Sequence, residues 1–530
     1  MPILLVFGLT AACLLVPWPP PLTGGGESTA VAFAAGAVAL SLATAFALRT
    51  WVVRALRRDP SRKYEVANTY GRLRRVMFFG NLGLFAASVA AFGWGWYVRR
   101  TFVVDGPPGR DGLPPFAPFA ELAVLLPYFL ILFGAWTIYY DAERALHRTT
   151  ILGPTDRPFW TRAGYFSHHL RQFLLLVMLP VLLFVAQQTA ERWSPETVRS
   201  GWYQLASYAA IPLMVLLMPL VIKPVLGLRS LPAGPARDRL EALARRLHFR
   251  CTDFLLWPTH GAAANAMIVG LLPRVRYVIF TDRILDELRP EELDAVFGHE
   301  VGHAKHGHLW LYMTFLLLSV AVLAAGLVWL EQRWGGEWVA GWLGGWVALP
   351  PLLFLGVYMF LVFGFLSRRC ERQADVYGCR AVSCGDPDCA SHDAATRYPE
   401  RARGLCPTGI RTFVHALEHV GYVNGHAPEE AQLHRVRAAV RGVVSWFRHW
   451  VHSTMPKRVN FLLSLIGDPA RERRFQRRLT VQRWAIVLAL LAAFAAIVVE
   501  VGWEPMFGTG EPPPRRETGP VGFHRGQAER

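Results

Sequence analysis

The sequence predicts an α-helical polytopic membrane protein of about nine spans, with an α+β domain on the cytoplasmic side. Three observations carry this reading: long apolar runs, basic residues gathered in alternate loops, and a polar stretch in which strand-like and helix-like patterns alternate. The chain has 530 residues, 53% of them hydrophobic, and a mean hydropathy of +0.26. Crossing a hydrocarbon core takes about 20 apolar residues. Runs of that kind occupy roughly residues 1–18, 29–50, 76–98, 117–139, 172–189, 204–226, 309–330, 341–366 and 483–503. A buried helix of a soluble protein explains one such run but not the whole set.

The first run lacks a basic leader and is followed by the proline-rich PWPPPLTGGG, so it reads either as an uncleaved span or as an atypical signal peptide. LTAAC, ending at Cys13, is a poor lipid-attachment signal. The net charge of +17 would suit nucleic acid if it were spread over one face. Instead, Arg54, Arg57, Arg58, Arg62, Lys63, Arg72, Arg74 and Arg75 crowd one loop, and Arg144, Arg148, Arg157, Arg162 and Arg171 another. The loop near 18–28 has no basic residue. That alternation is the positive-inside pattern, and it excludes nucleic acid as the expected partner in favour of the lipid bilayer.

Orientation then follows for each segment. Residues 1–228 form an amino-terminal membrane domain of about six spans, and the polar region 229–308 faces the cytoplasm. Residues 309–366 form a hairpin that returns the chain to the same side, where 367–481 also lies. A last span covers 482–503 and leaves the Pro/Arg-rich tail 504–530 outside and disordered. The excess of Arg over Lys, with abundant Ala, Gly and Pro, suits a GC-rich bacterial gene, hence a bacterial inner membrane.

Within 229–308, GPARDRLEALARRL has helical spacing of Leu240, Leu243, Ala244 and Leu247, with Pro235 near its start. CTDFLLWPT, NAMIVG and RYVIFTD are short β-branched or aromatic runs, and read as strands. RPEELDAVFGHEVGHAKHG follows as a helix, with Pro290 suited to its first turn and Glu291 and Glu292 to its positive end.

That helix carries the chemistry. His299 and His303 are four apart, so both imidazoles share one face and can chelate one ion. Glu300 lies about 100° round the helix, placed to reach a water rather than the ion. Two nitrogen ligands and a general base are the minimum for metal-assisted hydrolysis, and zinc is the default ion for that donor set. A third ligand is needed. The pattern HExxHxxGxxH fails, because His306 and Leu309 stand where it needs Gly and His. An HExxH inside a span fits badly, because Arg289, Glu291, Glu292, Asp294 and Lys305 surround this one. Across the hairpin, SRRCERQADVYG places Glu371 and Asp375 four apart on an expected helix. Glu371 could close a two-His, one-Glu site, with Asp375 fixing a histidine tautomer. A solvated acidic face flanked by arginines is the other reading of that stretch.

NAMIVG, ELDAVFGHEVGHAKHGH, ERQADVYG and HSTMPKRV occur in this order over about 230–465. The set resembles the integral-membrane zinc metallopeptidases that include the CAAX prenyl proteases and the HtpX heat-shock proteases. The resemblance implies a zincin-like (gluzincin) domain with zinc held by His299, His303 and Glu371, Glu300 as base and Asp375 behind the ligands. It implies an edge strand containing Asn265 and Ala266 that pairs with substrate backbone. The family's HPxxxxR motif corresponds to His452 through Arg458, with Ser453 replacing the proline, and these two are the candidate oxyanion donors. Of the remaining histidines, His306 is expected to pack, partly exposed. His308, facing the other way on a continued helix, is expected to be structural.

The function so implied is a membrane-embedded zinc endopeptidase acting on membrane-associated or misfolded polypeptides. Alternatives are a non-catalytic sensor or binding protein that keeps the zinc fold, a metal transporter, and a CAAX-type prenyl-protein protease.

The cysteines raise a separate possibility. Cys370 and Cys379 flank the ExxxD stretch, and Cys379, Cys384, Cys389, His392 and Cys406 follow in a cysteine-rich insertion. Their spacing matches no standard zinc finger, yet four thiols and an imidazole can hold a second, structural ion. Free thiols and disulfides are the other readings, the latter disfavoured by a cytoplasmic location. Cys13 and Cys251 read as ordinary apolar residues.

Overall fold

Helices make up most of the described residues. The structure, a computed structural model, describes residues 24, 26–102, 120–148, 158–334, 349–393, 396–424 and 454–502. The first expected span, the tail, Cys13 and His452 lie outside these residues. Five described helices are long and apolar enough to cross a membrane: Gly26–Arg58, Leu122–His147, His308–Leu330, Leu353–Ala381 and Pro469–Val501. The expected span at 76–98 falls across the helices Lys63–Ala90 and Trp94–Phe102. The one at 172–189 begins in Arg162–Phe173, passes a π-helical turn at Leu174–Met178 and ends in Leu179–Trp193. That at 204–226 coincides with Gly201–Leu226, which contains Pro212, Pro219 and Pro224; Pro212–Leu226 is a shorter apolar helix.

In the amino-terminal half, the buried positions of Gly26–Arg58 recur at helical spacing and are mostly small: Ala30, Ala34, Ala37, Ser41 and Ala45. Small residues let helix backbones approach closely where hydrophobic burial gives little selectivity. The basic residues here are not all solvated. Arg49 and Arg162 both donate to Asp141, and Arg74 pairs with Glu143, which also accepts from the Tyr70 and Tyr165 hydroxyls.

The sheet has the order β1-β2-β4-β3. β1 (Arg229–Ser230) runs antiparallel to β2 (Asp253–Trp257), which is parallel to β4 (Tyr277–Thr281). β3 (Ala266–Val269) is antiparallel to β4, with Ala266 opposite Phe280 and Val269 opposite Tyr277. β3 is therefore an edge strand. Phe249, Phe254 and Phe280 surround Phe297 with ring centroids 6.0, 5.6 and 6.3 Å away, docking the HExxH-bearing helix Pro290–Lys305 on one face of the sheet.

That helix starts at Arg289, where the Glu292 carboxylate accepts the Arg289 backbone N–H at 2.9 Å, the reciprocal half of a capping box. It packs against Gly364–Ala381, the continuation of the apolar helix Leu349–Tyr358 through a π-helical turn. Two glycines make this approach possible. A Cβ on Gly298 would sit 2.5 Å from the Ala381 Cβ, and one on Gly302 would sit 2.8 Å from the Tyr377 Cβ and 3.1 Å from the Ala374 Cα. Side chains at either position would push the helices apart. Helix Pro407–Val423 packs on the same pair, and helix Met455–Leu463 closes the group.

Candidate active site

The Gly298 and Gly302 contacts set the registration of the two helices, and the side chains between them converge. The Nε2 atoms of His299 and His303 lie 3.2 Å apart. Glu371 Oε2 is 3.9 Å from the first, and Oε1 is 3.6 Å from the second. A tetrahedral zinc ion with ligands at about 2.0–2.1 Å separates its ligand atoms by about 3.3 Å, so the three donors fit one ion in both chemistry and spacing.

Partners behind the donors orient the rings. His299 Nδ1 is 2.9 Å from Asp375 Oδ1, and a carboxylate at that distance favours the tautomer with the proton on Nδ1, which leaves the Nε2 lone pair for the shared centre. Asp375 is fully buried and accepts from both Nε and a terminal nitrogen of Arg458, the former at 2.9 Å. The same guanidinium lies 3.8 Å from Glu371 Oε2.

His303 has its own chain of partners. His303 Nδ1 is 3.0 Å from His308 Nδ1, and His308 Nε2 is 3.0 Å from Gln373 Oε1. With Nε2 of His303 facing the centre, its Nδ1–H donates to His308, whose Nε2–H then donates to Gln373. Gln373 donates onward to Gln476 Oε1 at 2.6 Å and accepts from Arg483 at 3.2 Å. This corrects the expected placement of His308. The helix does not continue through it: Pro290–Lys305 ends, Gly307 takes φ +64°, and a new helix begins at His308. Only that left-handed turn brings His308 back onto His303. His306 stacks on His308 and meets Tyr377 edge-on, away from the cleft.

The electrostatics follow from burial and these pairs. Burial lowers the affinity of His299 for a proton, but the Asp375 carboxylate outweighs it and holds the pKa above the ordinary imidazole value. Burial acts against the Arg458 charge, and Asp375 and Glu371 more than restore it. Burial, followed by Arg380 and Arg483, brings His306 down to about 4.

A cleft of about 460 Å³ opens over the donors, lined by Asn265, Ala266, His299, Glu300, His303, Glu371, Phe413 and Arg458. Asn265 immediately precedes the edge strand, its carbonyl accepting the Thr281 N–H at 3.0 Å, and its side chain is exposed. Sequence reasoning missed the helix that walls this cleft. Phe413 stacks on His299 with centroids 6.0 Å apart, and His415 and His419 lie 2.8 and 3.0 Å from the fully buried Glu292. At the end of the helix, Asn424 clamps the Ala264 backbone through both atoms of its amide. The available signal was the spacing of Phe413, Leu417 and Val420 on one helical face. Of the five residues in the insertion, Cys384, Cys389, His392 and Cys406 come together. Cys379 is instead buried in an apolar cluster with Val376, Phe413 and Leu462.

Residues 232–440 match the description of peptidase family M48. A protease HtpX homolog of Archaeoglobus fulgidus is 26% identical over 266 residues, covering 48% of this chain and 73% of its own. A CAAX prenyl protease 1 homolog of Dictyostelium discoideum is 29% identical over 177 residues, covering 31% of this chain and 41% of its own. The crystal structure of S. mikatae Ste24p is similar in fold over 81% of this chain and 98% of that one, with a TM-score of 0.50 and 14% identity. With HExxH and ExxxD side chains meeting beside apolar helices, the stretch 232–440 is similar to peptidase family M48, and the protein is a membrane metallopeptidase.

Proposed function

We propose that this metallopeptidase is a zinc-dependent endopeptidase that cuts membrane-associated or misfolded polypeptides, with its cleft on the cytoplasmic side of a bacterial inner membrane. One observation carries the reading: two imidazoles and a carboxylate meet beneath an edge strand, with Glu300 lining the same cleft. The alternation of basic loops supports the orientation, and the composition supports the membrane.

His299, His303 and Glu371 would hold the ion, which supplies Lewis acidity toward a peptide carbonyl and a water molecule. Glu300 takes the proton from the attacking water and passes it to the leaving amine. β3 offers its outer edge to an extended substrate, whose backbone pairs there while side chains meet Phe413, Leu417 and Val420. Such pairing reads backbone more than side chains, which suits a broad substrate class. Arg458 donates through Nε and one terminal nitrogen to Asp375, keeping that carboxylate against His299, while the residue also lines the cleft. His452, which lies outside the described residues, and Arg458 stay the two proposed oxyanion donors.

The test is cleavage in reconstituted lipid by unaltered and Glu300→Gln protein, with zinc content measured on both. Loss of cleavage with zinc retained is expected. Equal cleavage by the two removes Glu300 from the chemistry. Comparing the membrane proteomes of cells carrying each protein identifies substrates. Accumulation confined to prenylated proteins would favour the CAAX-type alternative.

A further inference from the structure

The cysteine-rich insertion lies outside the cleft, and its ligands do not serve the peptidase chemistry. Cys384, Cys389, His392 and Cys406 each bring one ligand atom to within 4.8 Å of the others. We propose that these four residues hold a structural zinc ion, in a closed centre separate from the one formed by His299, His303 and Glu371.

The donor set is the first argument. Three thiols and one imidazole fill all four positions of a tetrahedral ion, the composition of structural rather than catalytic zinc sites. Cys406 Sγ is 3.4 Å from His392 Nε2. Ligand bonds of about 2.3 Å to sulfur and 2.0–2.1 Å to nitrogen place such a pair about 3.5 Å apart. Sulfur ligands also separate this site chemically from the nitrogen and oxygen donors of the cleft.

The second argument is the state and setting of the thiols. All four cysteines of the insertion stretch, Cys379, Cys384, Cys389 and Cys406, are unbridged. Cys406 caps the helix Pro407–Val423, and its sulfur accepts the Gly409 N–H at 3.2 Å. An N–H donor and the positive end of a helix favour the thiolate, the form that binds metal.

Third, the backbone that presents the ligands is already fastened. Ser383 Oγ accepts the Cys406 N–H at 3.1 Å, and Thr408 donates to the Cys389 carbonyl at 3.0 Å. A Cβ on Gly409 would fall 2.2 Å from Ser383 Oγ, so only glycine lets the two segments meet. The ligands thus bridge the loop after Ala381 to the start of the helix that carries Phe413. The ion would act as a clamp, holding the cleft wall in register with the helix that supplies Glu371.

The test uses the full chain, purified without added chelator. About two zinc ions per chain are expected for unaltered protein, and about one for His299→Ala/His303→Ala protein. X-ray absorption at the zinc edge of the double-histidine variant should show sulfur at about 2.3 Å. Cys384→Ser/Cys389→Ser protein should keep about one zinc bound by nitrogen and oxygen alone. The unaltered protein serves the same purpose without any substitution, since a sulfur shell in its spectrum arises only from the insertion. Absence of that shell overturns the proposal, as does a disulfide among Cys384, Cys389 and Cys406 in protein prepared anaerobically. Failure of the peptidase site instead removes the nitrogen-and-oxygen signal and leaves the sulfur shell in place.

Discussion

His308 stands directly behind His303, Nδ1 to Nδ1 at 3.0 Å, although Gly307 ends one helix and starts another between them. The contact orients His303 toward the shared centre, and His308 in turn donates its own Nε2–H to Gln373. Replacing partners of this kind typically costs 10–100-fold in metal affinity or activity. His308→Ala should therefore weaken zinc binding by about that factor, measured by competition with a chromophoric chelator. His308→Asn keeps an acceptor near the Nδ1 position and should recover part of the loss. Unchanged zinc affinity in His308→Ala would limit the residue to packing.

Asp375 faces both His299 and Arg458 in full burial. Asp375→Asn keeps the shape but leaves the Arg458 charge without its main partner. Breaking a buried pair costs about 3–5 kcal/mol. The thermal midpoint should fall and zinc affinity with it. Adding Arg458→Met, which removes the orphaned charge, should restore stability without restoring zinc affinity. Recovery of both together would mean that Asp375 acts only as the counter-charge of Arg458.

Gly302 presses against Tyr377 and Ala374. Gly302→Ala inserts a methyl group where a Cβ would stand 2.8 Å from the Tyr377 Cβ, an overpacking cost of about 1–3 kcal/mol. By pushing Glu371 away from both imidazoles, it should reduce activity further than the stability loss alone explains. Chemical unfolding and turnover measured on one preparation separate the two effects.

Glu292 ties the start of the HExxH helix to the cleft wall. Burial pushes its carboxyl up, but donors from Arg289, His419 and His415 outweigh that and bring it to about 2. A carboxyl depressed in the folded state stabilises fully above its unfolded value and loses that contribution as pH falls through the folded one. Glu292→Gln should therefore cost about 2 kcal/mol near neutral pH, the scale of hydrogen bonds to charged groups. The gap between the two unfolding curves should narrow below about pH 4.5 and close near pH 2. A gap that stays constant across that range would mean the carboxylate charge is not what stabilises the junction.

Much of the site was written in local spacing. The four-residue interval of His299 and His303, the matching interval of Glu371 and Asp375, and the strand patterns of 253–257, 266–269 and 277–281 can each be read from a window of a few residues. Helical and strand periodicities need nothing beyond neighbours in the chain. The basic loops and apolar runs likewise declared a membrane protein, because the bilayer acts on each segment separately.

What the tertiary structure decided is which local pieces touch. Nothing in Phe413, Glu292 or Asn424 announces that they wall and fasten the cleft, since their partners lie more than 100 residues away. Cys379 and Cys406 looked equivalent as ligands, yet burial took one into an apolar cluster and helix capping turned the other toward His392. The role of His308 turned on the backbone sign at Gly307, and that of Gly298 and Gly302 on the distant helix Gly364–Ala381. Close packing selects such contacts by shape and volume across the whole fold, a property no single stretch of sequence carries.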